Sequence, residues 1–254
     1  MKDWNSNQYS KFEEERTQPS VDLINRIPIS PSSILDIGCG PGNSTYQLHK
    51  HYPQATILGI DRSDNMLEKA RKTHPRLDFR KGIIPEEIDS LGHYDLIFSN
   101  ACLHWIPEHE SLFPKLMNQL RDNGVLAVQM PLVQSAVFYK CLHQLIQTDK
   151  WKELKDVQIF HSLSPDETYR ILSQISSDVT MWETTYYHIV SSHRDVIEWY
   201  KGSGLRPYLE KLDAREEAEF LKELLERIKK SFPRQADHSV ILKMPRLFFL
   251  ATKT

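Results

Sequence analysis

Short apolar runs alternate with helix-period segments through the first half of the chain, which predicts a parallel sheet with helices on both faces. Ser33–Ile37 reads as a first buried strand, and a helix follows from Asn43 or Ser44, both good caps. Thr56–Asp61 reads as the second strand. Ser63 can cap a helix over 64–71, where Met66, Leu67 and Ala70 share a face. Strands three and four fall at 77–80 and 94–99. A helix around 111–120 is expected to stop at the turn signal Asp122-Asn-Gly124, and strand five, 125–130, to end at Pro131.

Beyond Pro131 the periodicity changes. Aromatic-rich helical segments run to about residue 177, then a strand candidate at 179–189, further helices including 215–230, and a last strand at 242–253. The expected fold class is α/β: a Rossmann-like, mostly parallel twisted sheet with helices on both faces. A helical lid is inserted among the last strands, over the carboxyl edge where ligands bind in such sheets. The stripe Phe220, Leu221, Leu224, Leu225 and Ile228 fits a lid helix facing its own core better than a partner interface.

Composition narrows the function classes. Lys and Arg number 32 against 34 Asp and Glu, so no positive field points to nucleic acid. No apolar run approaches a membrane span, and the first residues lack the apolar core of a secretory signal. The three cysteines, Cys39, Cys102 and Cys141, make neither an even framework nor a Cys-x-x-Cys pair, which fits a reducing cytoplasm. With no His-Glu-x-x-His and no cysteine pair, a metal site is not expected.

The chemistry concentrates in Ile34-Leu-Asp-Ile-Gly-Cys-Gly-Pro-Gly-Asn-Ser-Thr45, a strand running into a glycine-rich turn and a helix. Gly38, Gly40 and Gly42 stand at alternate positions and remove the Cβ atoms that would keep a ligand off the backbone. Asp61 ends the next strand about 20 residues on, where an acid can grip a ribose diol. A dinucleotide fingerprint would carry its third glycine where Asn43 stands. No Gly-Lys-Ser/Thr follows to reach phosphates. The loop therefore favours S-adenosylmethionine (SAM), which has no phosphate.

Leu35-Asp-Ile-Gly-Cys-Gly-Pro-Gly42, Gly59-Ile-Asp61 and Tyr94-Asp-Leu-Ile-Phe-Ser-Asn100 resemble the successive motifs of class I SAM-dependent methyltransferases. A narrower resemblance, to trans-aconitate methyltransferases, extends over both halves. Its residues are Arg16-Thr-Gln-Pro19, Asn100-Ala-Cys-Leu-His-Trp105, Ala127-Val-Gln-Met-Pro131, Trp182-Glu-Thr-Thr-Tyr186, Gly204-Leu-Arg-Pro-Tyr-Leu209 and Arg246-Leu-Phe-Phe-Leu-Ala251. The resemblance implies one domain over 1–254: a SAM-binding half at about 20–131, a mostly helical lid with one core strand at 132–242, and a final core strand at 243–254. It also implies roles. Gly38, Gly40 and Gly42 would line the methionine part of SAM, and Asp61 would accept the ribose hydroxyls. Asp36 would brace the loop or reach the cofactor's amino group. Asn100 would sit beside the sulfonium, and Tyr9 would fold over the cofactor. Ile83 stands where the family commonly has an acid for adenine, so packing and backbone groups at Gly82 and Ile83 would hold the base.

A small polycarboxylic acid as acceptor makes chemical sense. A carboxylate with a pKa near ~4 is already ionised at neutral pH and needs no general base. Arginine forks onto carboxylates, so Arg206 and Arg246 are candidates for the non-reacting acid groups, with His104, Gln129 and Tyr208 as hydrogen-bonding partners and Trp105 as a wall. Structural alternatives stand beside these. Arg246 could snorkel from a strand edge, Arg206 could pair with a helical Glu, and Trp105 could be a packing residue. Three rival functions share the motifs: carboxyl methylation of a malonyl carrier-protein thioester, a neutral-acceptor methyltransferase with His104 as base, and a SAM-binding regulatory module.

Overall fold

The computed structural model describes residues 13–157 and 160–254. Its seven strands are β1 (Ser33–Ile37), β2 (Thr56–Asp61), β3 (Asp78–Lys81), β4 (Tyr94–Asn100), β5 (Leu120–Pro131), β6 (Asp178–Val190) and β7 (Val240–Thr252). They form one sheet in the order β3-β2-β1-β4-β5-β7-β6. The first five are parallel, and β7 runs antiparallel to both neighbours. The helices are α1 (Glu13–Ile24), α2 (Asn43–His51), α3 (Asp64–Thr73), α4 (His109–Asn118), α5 (Val137–Ile146), α6 (Pro165–Leu172), α7 (His193–Lys201), α8 (Arg206–Leu209) and α9 (Ala214–Ser231).

The central strands read as continuous apolar runs because both faces of the sheet are covered. Alternate residues feed opposite cores. Ile34, Leu96, Val125 and Phe248 pack with Leu23 of α1 and Leu48 of α2, while Leu35, Ile97, Leu126 and Phe249 pack with Phe113 and Leu116 of α4. A third core belongs to the lid and joins Phe138 and Leu142 of α5, Trp199 and Tyr200 of α7, and Phe220, Leu224 and Ile228 of α9. The stripe on α9 thus faces its own molecule, and a capping box between Asp213 and Glu216 starts that helix.

Three boundaries differ from the sequence expectation. Helix α4 ends at Asn118, and Asp122-Asn-Gly124 lies inside an irregular start of β5. Leu120 pairs with Tyr94 across a register shift, and Asn123, at φ +62°, still donates its N–H to Lys253 O. Pro131 remains in the strand opposite Arg246. Neither Asn43 nor Ser44 caps α2: Gly42 holds the cap position in a left-handed conformation, and the Ser44 and Thr45 hydroxyls turn down to Asp36. Ser63 does cap α3, accepting the Met66 N–H.

Candidate active site

Parallel strands end together at the carboxyl edge, and the lid roofs that edge over a cavity of about 300 Å³. Its floor is the glycine turn after β1. Gly38 sits at φ +72°, where a Cβ would stand 2.2 Å from Cys102 Sγ, so any side chain there collides with the neighbouring strand end. Gly40, at φ +54°, has no atom of the described residues within 4 Å of its Cβ direction; a side chain there would fill the cavity itself. Beside the turn, Asp61 accepts the Gly40 and Ser63 N–H groups at 2.9 Å each. Those bonds fix the carboxylate at the cavity wall, and a carboxylate has further lone pairs to offer a diol.

Next to Asp61 the cavity turns apolar. Ile60, Met66, Gly82 and Ile83 line it, and Ile83 is 42% exposed, a large aliphatic group with a bare face at the mouth. On the other side of the turn Asn100 ends β4. Its Oδ1 is buried and has no hydrogen-bond partner among the described residues, an acceptor aimed at whatever enters. An acid for a diol, an apolar slot for a base, an open backbone turn and an orphaned acceptor together fit a nucleoside carrying an amino-acid arm, as SAM does.

The lid end is polar and aromatic. Gln129 of β5 lies opposite Asn100, is almost fully buried, and neither end of its amide has a partner among the described residues. His104 is buried, with its Nδ1 likewise without a described partner. Burial, then the charge of Arg246, then His109, push His104 well below the usual histidine range, so the ring is neutral at physiological pH. Burial drives the Tyr139 and Tyr200 hydroxyls up, only partly offset by Arg246 and Arg16, so both remain protonated donors. Trp105 and Phe160 lie 4.7 Å apart by ring centroid, and Tyr139 meets Phe160 edge-on. They close the wall against water. The Cys102 thiol, raised by burial and by Asp61 and Asp36, is a packing group here and no nucleophile.

The structure gathers Gly38, Gly40, Asp61, Gly82, Ile83, Asn100, His104, Trp105, Gln129 and Arg246 around this one cavity. Four of the sequence candidates do not line it. Asp36 is wholly buried under the turn and braces it, taking the Ser44 and Thr45 hydroxyls at 2.7 and 2.6 Å. Gly42 packs away from the cavity against His74 and Phe79. Arg206 faces Glu210, the residue that caps the end of its short helix, at 3.5 Å, the pairing with a Glu that the sequence left open for it. Tyr208 belongs to the lid core. Neither Arg206 nor Tyr208 is among the residues lining the cavity. Tyr9 lies outside the described residues. Sequence reasoning missed Arg16, Tyr139, Tyr200 and Phe160 as lining groups. The Arg16-Thr-Gln-Pro19 segment did carry a family resemblance. Gly204 held a second signal, since a Cβ there would stand 2.2 Å from the Tyr139 hydroxyl.

A sequence-family profile described as a methyltransferase domain matches residues 30–196. The chain is 38% identical over 258 residues to a trans-aconitate 2-methyltransferase of Methylobacterium nodulans, covering 100% of both chains. It is 39% identical over 260 residues to one of Escherichia coli O157:H7, again 100% of both. The chain belongs to the trans-aconitate methyltransferase family. It is a SAM-dependent methyltransferase, and its fold is the class I type. YcgJ of Bacillus subtilis matches with a TM-score of 0.61 at 14% identity, over 93% of this chain and 98% of that one. Haemonchus contortus phosphoethanolamine N-methyltransferase 2, solved with SAM, also gives 0.61 at 14% identity, over 98% of this chain and 57% of that one. At such identities these two likenesses speak for the fold alone.

Proposed function

We propose that this methyltransferase esterifies one carboxylate of trans-aconitate, a small acid with three carboxyl groups. The observation that carries the reading is the lid end of the cavity. There the Arg246 guanidinium stands among neutral donors, with the Gln129 amide, which has no partner among the described residues, one strand from Asn100. Such a wall suits a polyanion and offers little to an amine.

In this reading Asp61 holds the ribose diol, Gly38 and Gly40 admit the amino-acid arm, and Ile83 with Gly82 covers the adenine. When bound, SAM supplies a methyl group on a positively charged sulfonium. The protein's work is alignment. Asn100 and Gln129 orient the reacting ends, Arg246 anchors a carboxylate that does not react, and Trp105 with Phe160 excludes water. No proton has to be moved, because the attacking carboxylate is ionised well below neutral pH. His104 is poorly placed as a base: a proton there would put a second positive charge beside Arg246 in a buried site. Its neutral ring is a hydrogen-bonding partner. The three cysteines are free, which fits the reducing cytoplasm in which we place the enzyme.

The test is turnover of methyl-labelled SAM with trans-aconitate, with the product read by mass spectrometry as a monomethyl ester. Transfer to neutral hydroxyl or amine acceptors, with none to polycarboxylates, would overturn the reading.

A further inference from the structure

Arg16 occupies a position that the SAM-binding machinery does not explain. It projects from α1 and lines the cavity at the lid end, far in sequence from Arg246 on β7. Helix α1 is pinned to the edge of the sheet below it. The Tyr186 hydroxyl donates to Asp22, and Arg26 stacks over Trp182 at 4.4 Å. The helix therefore holds Arg16 over the cavity as a fixed arm. The guanidinium donates from Nη2 to the Trp199 carbonyl at 3.0 Å and lies 5.3 Å from the Trp199 ring centroid. Both arginines line the same cavity as the Tyr139 and Tyr200 rings, so the two cations share one volume.

We propose that Arg16 and Arg246 form a two-cation reader for the two non-reacting carboxylates of the acceptor, so that the N-terminal helix selects for a third acid group. This rests on the polycarboxylate reading above and deepens it. The charge pattern of the cavity favours it: among the described lining residues the one carboxylate is Asp61, at the opposite, ribose-side wall. A tricarboxylate places one acid group at the transfer point and leaves two to be held. One fork per group then fixes both position and tilt, which a single cation cannot do. The competing role for Arg16 is a purely structural bracket between α1 and α7 through Trp199.

Two measurements separate these roles. The first is calorimetric binding of trans-aconitate, and of a dicarboxylate analogue lacking one acid group, to protein saturated with S-adenosylhomocysteine. The second is kcat/KM for the same pair. Arg16→Met keeps the stem that packs on Trp199 and removes the fork. It should cost on the order of ten- to a hundred-fold in trans-aconitate affinity and leave the analogue that lacks the Arg16-facing carboxylate nearly unchanged, so that the preference collapses. S-Adenosylhomocysteine affinity should move less than about threefold. Arg16→Lys, which keeps charge without the fork, should fall between and covers the case of a poorly folding methionine variant. Equal losses for the tricarboxylate and its analogue, or none, overturn the reader and leave the bracket. Arginine-dependent binding without methyl transfer would sink the proposed reaction and keep the reader. Transfer with an unchanged preference in both variants would do the reverse. No binding of the tricarboxylate by wild type overturns both.

Discussion

His104 shows how surroundings decide what a side chain can do. A histidine after a strand end beside a cofactor loop suggests a general base. Burial, with Arg246 adjacent, instead keeps this one neutral and makes its charged form costly. His104→Gln should therefore retain kcat within about tenfold and act mainly on KM for the acid. The rate should show no histidine limb between pH 6 and 8, and a loss beyond ~10³-fold at saturating substrate would restore the base. Asp61 illustrates the opposite case, a charge that two backbone N–H groups aim at the cavity. Asp61→Ala should weaken SAM binding by about 2–4 kcal/mol in calorimetry, two bonds to a charged acceptor being lost. Unchanged affinity would remove Asp61 from the ribose.

At the scale of elements, the site exists because β1, β4 and β5 end in register, and something must hold that register. Asp95, near the start of β4, does so at the opposite edge. One oxygen takes the N–H and hydroxyl of both Ser32 and Ser33, and the other meets Arg121 of β5 at 3.1 Å. Partial burial alone would raise its pKa, yet the Ser32 and Arg121 bonds hold the carboxyl well below the usual range. Asp95→Ala should cost about 1.5–3 kcal/mol in chemical denaturation, because backbone amides lose a charged partner. SAM affinity should stay within about twofold, the cavity being at the other end of the strands. In the lid, Leu224 of α9 is fully buried, and Leu224→Ala should cost about 2–5 kcal/mol. Removing the exposed Lys229–Glu226 pair on the same helix should leave the denaturation midpoint essentially unchanged.

At the scale of the whole molecule, one buried acid ties folding to pH. Asp36 lies under the glycine turn, and burial raises its pKa from 3.8 to about 6 despite the Thr45 and Ser44 hydroxyls. The folded state therefore holds a proton between those values that the unfolded chain has released. That contribution is largest below about pH 4, is lost as pH rises to about 6, and is level above. At 1.36 kcal/mol per pKa unit it amounts to roughly 3 kcal/mol. His104 acts in the other direction: its depressed pKa removes stability as pH falls through about 6.5. Asp36→Asn isolates the acid. Measured by denaturant midpoints, the variant should gain on wild type between pH 4 and 6 and then keep a constant difference. A difference that does not vary over that window would mean that Asp36 is ionised throughout.

Local signals were enough for the sheet half, because its determinants are adjacent in the chain. Apolar runs marked the strands, Ser63 announced its helix, and Gly38, Gly40 and Asp61 carried the cofactor before any fold was known. Boundaries slipped where a long-range partner overrode a local one. Asp122-Asn-Gly124 reads as a turn, yet Lys253 draws Asn123 into the strand; Ser44 reads as a cap, yet Asp36 takes its hydroxyl. The lid end of the cavity was legible only in part. Arg246 and Gln129 lie on core strands whose register places them. Arg206 faces Glu210 and is not among the residues lining the cavity, and no local pattern marks that. Arg16, Tyr139 and Tyr200 come together only because α1 is pinned to the edge strand and α5 and α7 pack in the lid core. The linear code thus settled the cofactor and the succession of strands along the chain, through residues that are close neighbours. Which side chains converge at the lid end of the cavity was left to helix packing across the sheet, an interaction between segments that no local pattern records.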